Sequence, residues 1–271
     1  MWKLNWRRLK LNKKEFVFYY GFFILLSIFY YDQILKFNPS FSPKSFYYPN
    51  GIFSLIPYEF YLKLFFASKV LILSLLVFSF LKIRKFAESK WVIGLFLLFY
   101  GLAISYRFSF FHTPHLEMFP ILALLGLLLG GNWWEKAKWA SALMILVYFV
   151  SGLSKLKNSG IAWLDSENIY QLVRCSDIAR ISVANRLFDF EKLSEYLRDS
   201  KIYFVLGSIG LLYELALPLL LRGGRTAKIL FFSTLLFHFI NATFLSIFTV
   251  SAFFPIFCFY FLAFEKIEEK N

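Results

Sequence analysis

Trp139-Ala-Ser-Ala-Leu-Met-Ile-Leu-Val-Tyr-Phe-Val-Ser-Gly-Leu-Ser154 contains no charge and is closed by Lys155. A membrane-crossing helix needs roughly 20 mostly apolar residues, at about 1.5 Å each, to span about 30 Å of hydrocarbon. This run approaches that length, and the rest of the chain repeats the pattern. Residues are 59% hydrophobic and 22% aromatic, with only 17% charged, which is more apolar surface than a soluble domain needs. The composition predicts an all-α, polytopic integral membrane helical bundle of about eight spans. They are placed near 16–32, 60–81, 91–111, 117–131, 139–155, 202–221, 229–246 and 248–264. The last two divide one apolar stretch that is too long for a single crossing.

The basic residues set the orientation, because lysine and arginine accumulate in short cytoplasmic loops. Lys3, Arg7, Arg8, Lys10, Lys13 and Lys14 precede the first span. Lys82, Arg84, Lys85 and Lys90 fall in one later loop, and Arg222, Arg225 and Lys228 in another. All are expected on one side, with both termini in the cytoplasm. The first span is read as a retained anchor, since no small-residue cleavage pattern follows it. The formal net charge of +13 then reports topology and attraction for anionic lipid; no basic soluble domain carries a nucleic-acid surface. Membrane lipid is thus an expected partner and nucleic acid is not.

Two segments are expected on the outer side. Residues 33–59 hold Pro39, Pro43, Pro49-Asn50-Gly51 and Pro57, which enforce turns. Residues 156–201 include amphipathic spacing at Phe190, Leu193, Tyr196 and Leu197, predicting short helices on the membrane surface. The whole of 1–271 is read as a single transmembrane domain with no separate soluble domain. Cys175 and Cys258 fall in different environments, so neither a disulfide nor a metal site is predicted from them.

Polar residues in or beside the spans carry the chemical information. Lys155 is either an interface anchor whose ammonium reaches the headgroups or a reagent, since a lysine held where water is scarce can serve as a base. His115, in Phe111-His112-Thr-Pro-His115, sits at the outer end of the fourth span, on the side assigned to Lys155. It is a substrate-orienting or proton-relaying residue, or else a capping histidine at a helix start. His238 and Asn241 are three apart and share a helix face in hydrocarbon, where an unpaired polar group costs several kcal/mol. They serve either binding or helix packing. Glu214, in Leu212-Tyr213-Glu214-Leu-Ala-Leu-Pro218, lies mid-span at a depth comparable to His238. A Glu214–His238 hydrogen bond is the structural reading, with Lys69 as an alternative partner for Glu214.

Val147-Tyr-Phe-Val-Ser-Gly152-Leu-Ser-Lys155-Leu, followed by Trp163-Leu-Asp165, resembles the surroundings of the catalytic lysine in the vitamin K-dependent gamma-glutamyl carboxylases and the wider horizontally transferred transmembrane (HTTM) family. His238-Phe-Ile-Asn241-Ala-Thr-Phe-Leu-Ser246-Ile is similar to a later motif of the same family, and Glu214 and His115-Leu116 fit its order. The chain departs from the carboxylases at Pro114 and in a longer interval from Lys155 to Trp163. The resemblance implies a lysine that deprotonates a reduced naphthoquinone such as vitamin K. Oxygen converts the anion into a strong base, which removes a gamma proton from a peptide glutamate before carbon dioxide adds. Carried over, Lys155 is general base and His115 its partner, while His238, Asn241 and Glu214 serve the quinone site. The cofactor expected is thus a quinol, with oxygen and carbon dioxide as co-substrates and no metal. The competing class is a non-catalytic membrane protein, transporter-like or partner-binding, whose polar residues pack helices.

Overall fold

The computed structural model describes residues 13–35, 118–165, 201–244 and 250–264, with Glu167, Tyr170 and scattered positions between 57 and 98. Nearly all of these are helical, and none of the described residues lies in a strand. The helices are α1 (Lys13–Leu35), α2 (Phe119–Leu129), α3 (Trp133–Ser159), α4 (Ile202–Ala216), α5 (Gly224–Phe244) and α6 (Phe253–Phe264). Short 3₁₀ turns follow α3 at Gly160–Leu164, extend α4 through Leu217–Arg222, and precede α6 at Val250–Ala252.

Trp133–Ser159 and Ile202–Arg222 are long and apolar enough to cross a membrane; Phe119–Leu129 and Val250–Phe264 are shorter apolar helices. The span expected near 117–131 is thus an 11-residue helix, about 16 Å long and short of a full crossing. It stops because Gly130 leaves the helical region for φ −78°, ψ 145°. By contrast, α3 runs one turn past the expected end at Lys155, to Ser159, so the lysine lies inside the helix rather than at its tip. The outer segment 33–59, apart from Pro57 and the helical residues up to Leu35, lies outside the described residues. So do His115, Cys175 and the amphipathic positions 190–197.

Two compact units are present. The first takes residues up to Leu143 together with Phe253–Cys258. In it α1 buries Phe18, Phe22, Leu26, Phe29 and Tyr30, spacings of three and four that form one face. Phe18 packs on Trp133 and Phe257, and Phe22 and Phe29 meet Phe254 edge to face at about 6 Å, a preferred aromatic geometry. The α2–α3 hairpin turns through Gly130 and Gly131 into an N-cap at Asn132. Asn132 Oδ1 accepts the Glu135 backbone N–H at 2.9 Å, and the Glu135 carboxylate accepts the Gly131 N–H at 2.8 Å. Gly126 is needed there, because a Cβ would collide with the backbone of Ala140.

The second unit holds Met144–Ala252 and the residues from Phe259 onward. Here α4 packs against α5, and the Gly160–Leu164 turn packs against α4. On α5, Ala227, Phe231, Thr234 and His238 form the buried stripe, while Ile229, Phe232, Leu236 and Phe239 form an exposed apolar one. On α4, Gly207, Leu211 and Glu214 are buried, and Val205, Ile209 and Leu212 are exposed. Over these stretches the outer faces are apolar, while Glu214, Thr234 and His238 point inward.

Candidate functional site

Four residues of α3, Tyr148, Ser151, Gly152 and Lys155, follow an i, i+3, i+4, i+7 spacing and so line one face of the helix. That face meets the buried stripes of α4 and α5, and two hydrogen-bonded groups form on it. At its far end the Lys155 ammonium donates to both oxygens of Glu214, at 2.5 and 2.6 Å. The Ser151 hydroxyl donates to the same carboxylate at 3.4 Å. Two turns earlier, about 10 Å along the axis, the Tyr148 hydroxyl and His238 Nε2 are hydrogen-bonded at 2.7 Å.

Glycine makes the first contact possible. A Cβ on Gly152 would stand 3.1 Å from the Cβ of Glu214 and 3.2 Å from the Leu215 side chain. With only hydrogen at that position α4 comes close enough for the short Glu214 side chain to reach Lys155. The carboxylate is almost fully enclosed, its side chain 5% exposed, whereas that of Lys155 is 24% exposed. The pair is therefore anchored in the interior from the acid side and open to its surroundings from the amine side. Burying a charge without a partner is expensive, so a carboxylate here requires its ammonium.

Tyr148 is held by more than one bond. Its ring meets those of Tyr213 and Phe237 edge to face at 5.9 and 6.2 Å. Tyr213 stacks on Phe237 at 4.5 Å, and its hydroxyl donates to Thr234 Oγ1 at 3.0 Å. Thr234 in turn donates to the carbonyl of Leu230 at 2.8 Å, so each hydroxyl in this chain has a defined partner. An aromatic cage thus fixes the tyrosine that carries the hydrogen bond to His238.

The sequence reading placed Glu214 against His238, and that pairing is corrected. Glu214 binds Lys155 and Ser151, and His238 binds Tyr148. The α3 stripe intervenes: Glu214 and His238 each take a partner on it, and those partners, Lys155 and Tyr148, stand two turns apart. Lys69, the alternative partner for Glu214, is buried at another place in the chain and has an interaction of its own. Asn241 is half-buried on α5, one turn past His238. His115 lies outside the described residues. Tyr148, Ser151, Tyr213 and Thr234 were not singled out from sequence, although the i, i+3, i+4, i+7 spacing of the polar and small positions on α3 was the signal available.

Chemically, the face offers an amine with a carboxylate acceptor beside it, and a hydroxyl–imidazole pair two turns away. Both are proton-exchanging groups in apolar surroundings. No family model matches the chain, no curated protein does, and no solved structure does. The described residues make a helical protein with an internal lysine–glutamate pair and a tyrosine–histidine pair on one helix face.

Proposed function

We propose that this is a multi-pass helical protein of the bacterial inner membrane, of the HTTM type, with about eight spans and both termini in the cytoplasm. Lys155 is the base of a quinol-linked reaction at its outer interface, related to that of the vitamin K-dependent carboxylases. The membrane part of this reading is supported by the outer faces of α1, α4 and α5. Residues such as Ile24, Ile28, Leu212, Phe232 and Phe239 are exposed there along whole helix stripes, a surface that suits hydrocarbon and not water.

The observation that carries the chemical part is the Lys155–Glu214 pair. An intramembrane ion pair that is closed on the acid side and open on the amine side places a proton acceptor next to the group that must release its proton before serving as a base. A reduced naphthoquinone, when bound, supplies the acidic phenolic hydrogen and the electrons that oxygen takes up. Lys155, Tyr148 and His238 carry groups that suit such a two-oxygen ring, provided that the ring takes the place of their present partners, Glu214 for the amine and each other for the hydroxyl and imidazole; Asn241 lies one turn beyond His238, and His115 is the assisting residue that the family resemblance assigns. Glu214 in this reading is the charge partner of Lys155 rather than a group that contacts the quinol.

The same contact favours a second reading, a non-catalytic membrane protein in which Gly152 and the ion pair lock α3 to α4. Oxygen uptake by purified protein with a reduced naphthoquinone separates the two. Lys155→Arg keeps the bidentate pair with Glu214 but cannot readily give up its proton, so it is expected to fold and insert yet lose quinol-dependent uptake. Lys155→Ala is expected to recover part of the rate with an added small amine. Equal rates in wild type and Lys155→Arg remove the base, and no uptake with any quinol in wild type favours the packing role.

A further inference from the structure

The turn between α4 and α5 lies away from the polar face. The 3₁₀ extension of α4 ends in Arg222, Gly223 and Gly224 follow with φ of 72° and 65°, and Arg225 and Lys228 stand on the first turns of α5. All three basic side chains are exposed. The nearest acidic residues in chain order are Glu214, which is occupied by Lys155, and Glu265.

Directly below the last of these cations is apolar surface. The Lys228 ammonium sits 5.5 Å over the ring of Phe264, and Phe264 contacts Phe232 and Tyr260 at 6.1 and 5.3 Å. Ile229 and Phe232 are each 58% exposed. The patch therefore combines three positive charges at the end of a stretch long enough to cross a membrane with an exposed aromatic and aliphatic face running away from them. A free anion would use only the charges. A molecule with a phosphate joined to hydrocarbon would use both.

We propose that this turn binds the headgroup of an anionic phospholipid, with Arg222, Arg225 and Lys228 on the phosphate and the acyl chains along Ile229, Phe232 and Phe264. The inference rests on α4 and α5 lying in a membrane and is independent of any reaction at Lys155. Basic residues at the membrane surface each favour anionic lipid by roughly fivefold, and the exposed Tyr260 against Phe264 is an aromatic of the kind enriched at headgroup level.

The test is native mass spectrometry of the full chain in mild detergent, with phosphatidylglycerol or phosphatidylcholine added in equal amounts. Wild type is expected to retain phosphatidylglycerol in preference, and Arg222→Gln/Arg225→Gln/Lys228→Gln to lose about a hundredfold of that preference with helix content unchanged. Lys3→Gln/Arg7→Gln/Arg8→Gln removes the same charge elsewhere on that side and is expected to lose far less of the preference than the variant at the turn. Equal loss in both triple variants, or displacement of the lipid by inorganic phosphate, overturns the headgroup site. If the triple variant at the turn fails to fold, Phe264→Ala provides the second reading: unchanged retention there overturns the acyl contact and with it the site. A chain that purifies in water without detergent defeats the membrane reading itself, a result distinct from equal retention of the two lipids by a detergent-dependent protein.

Discussion

At the scale of single residues, the α3–α4 contact depends on a carboxylate that has nowhere else to go. Glu214 is 4% exposed and meets Lys155 and Ser151, so its charge is balanced by one ammonium and one hydroxyl. Removing the ammonium partner or the acid leaves the other charge in apolar surroundings, a loss of about 3–5 kcal/mol for a fully buried pair. Because the Lys155 side chain retains some exposure, Glu214→Leu is expected at the lower end of that range and Lys155→Met at the upper end. Replacing both together is expected to restore most of the stability, since an apolar pair of similar volume needs no countercharge. Denaturation of the three variants in detergent measures this as a coupling energy, and additive losses in the double variant would show that the two side chains do not act as a pair.

At the scale of helices, close approach is decided by glycines with unequal demands. Against Gly152 an added methyl meets side-chain atoms of Glu214 and Leu215 at 3.1–3.3 Å, which can move by a few tenths of an ångström. Against Gly126 it meets the backbone of Ala140, which cannot move without displacing α3 from α2. Gly126→Ala is therefore expected to cost more than Gly152→Ala, with overpacking of about 1–3 kcal/mol at the former and less at the latter. The melting temperature of each variant in detergent checks the order. A Gly152→Ala protein that melts below Gly126→Ala would mean that the α3–α4 contact is the stiffer of the two. Gly152→Leu, by contrast, is expected to separate Lys155 from Glu214, because its branched side chain would fill the space through which the carboxylate passes.

At the scale of the whole molecule, the distribution of lysine and arginine predicts which side each loop occupies. Cysteine substitutions introduced at Ser176 and Ser194 are expected to react with a membrane-impermeant thiol reagent added to intact cells, after Cys175 and Cys258 are replaced by serine. Substitutions at Ser89, in one basic loop, and at Thr226, on the first turn of α5 beside Arg225, are expected to react only after the membrane is opened. Labelling of the 156–201 segment solely from the cytoplasmic side would invert the topology and move Lys155 to the inner face.

The helical class, and which residues are polar within apolar runs, are legible in the linear chain, because composition and hydrophobic length act locally and are read without knowing any neighbour. The sequence also marked Lys155, Glu214 and His238 as exceptional, since a charge or imidazole in such a run is costly wherever the helix lies. It did not determine who pairs with whom. Tyr148 is an ordinary aromatic in the linear chain, and becomes the partner of His238 only because α3 turns that side toward α5. Glu214 reaches Lys155 because Gly152 removes a side chain at the crossing, a steric fact about two helices separated by more than fifty residues in the chain. Only the tertiary structure decides such pairings, because the azimuth at which a side chain leaves its helix is fixed by the packing of one helix against another.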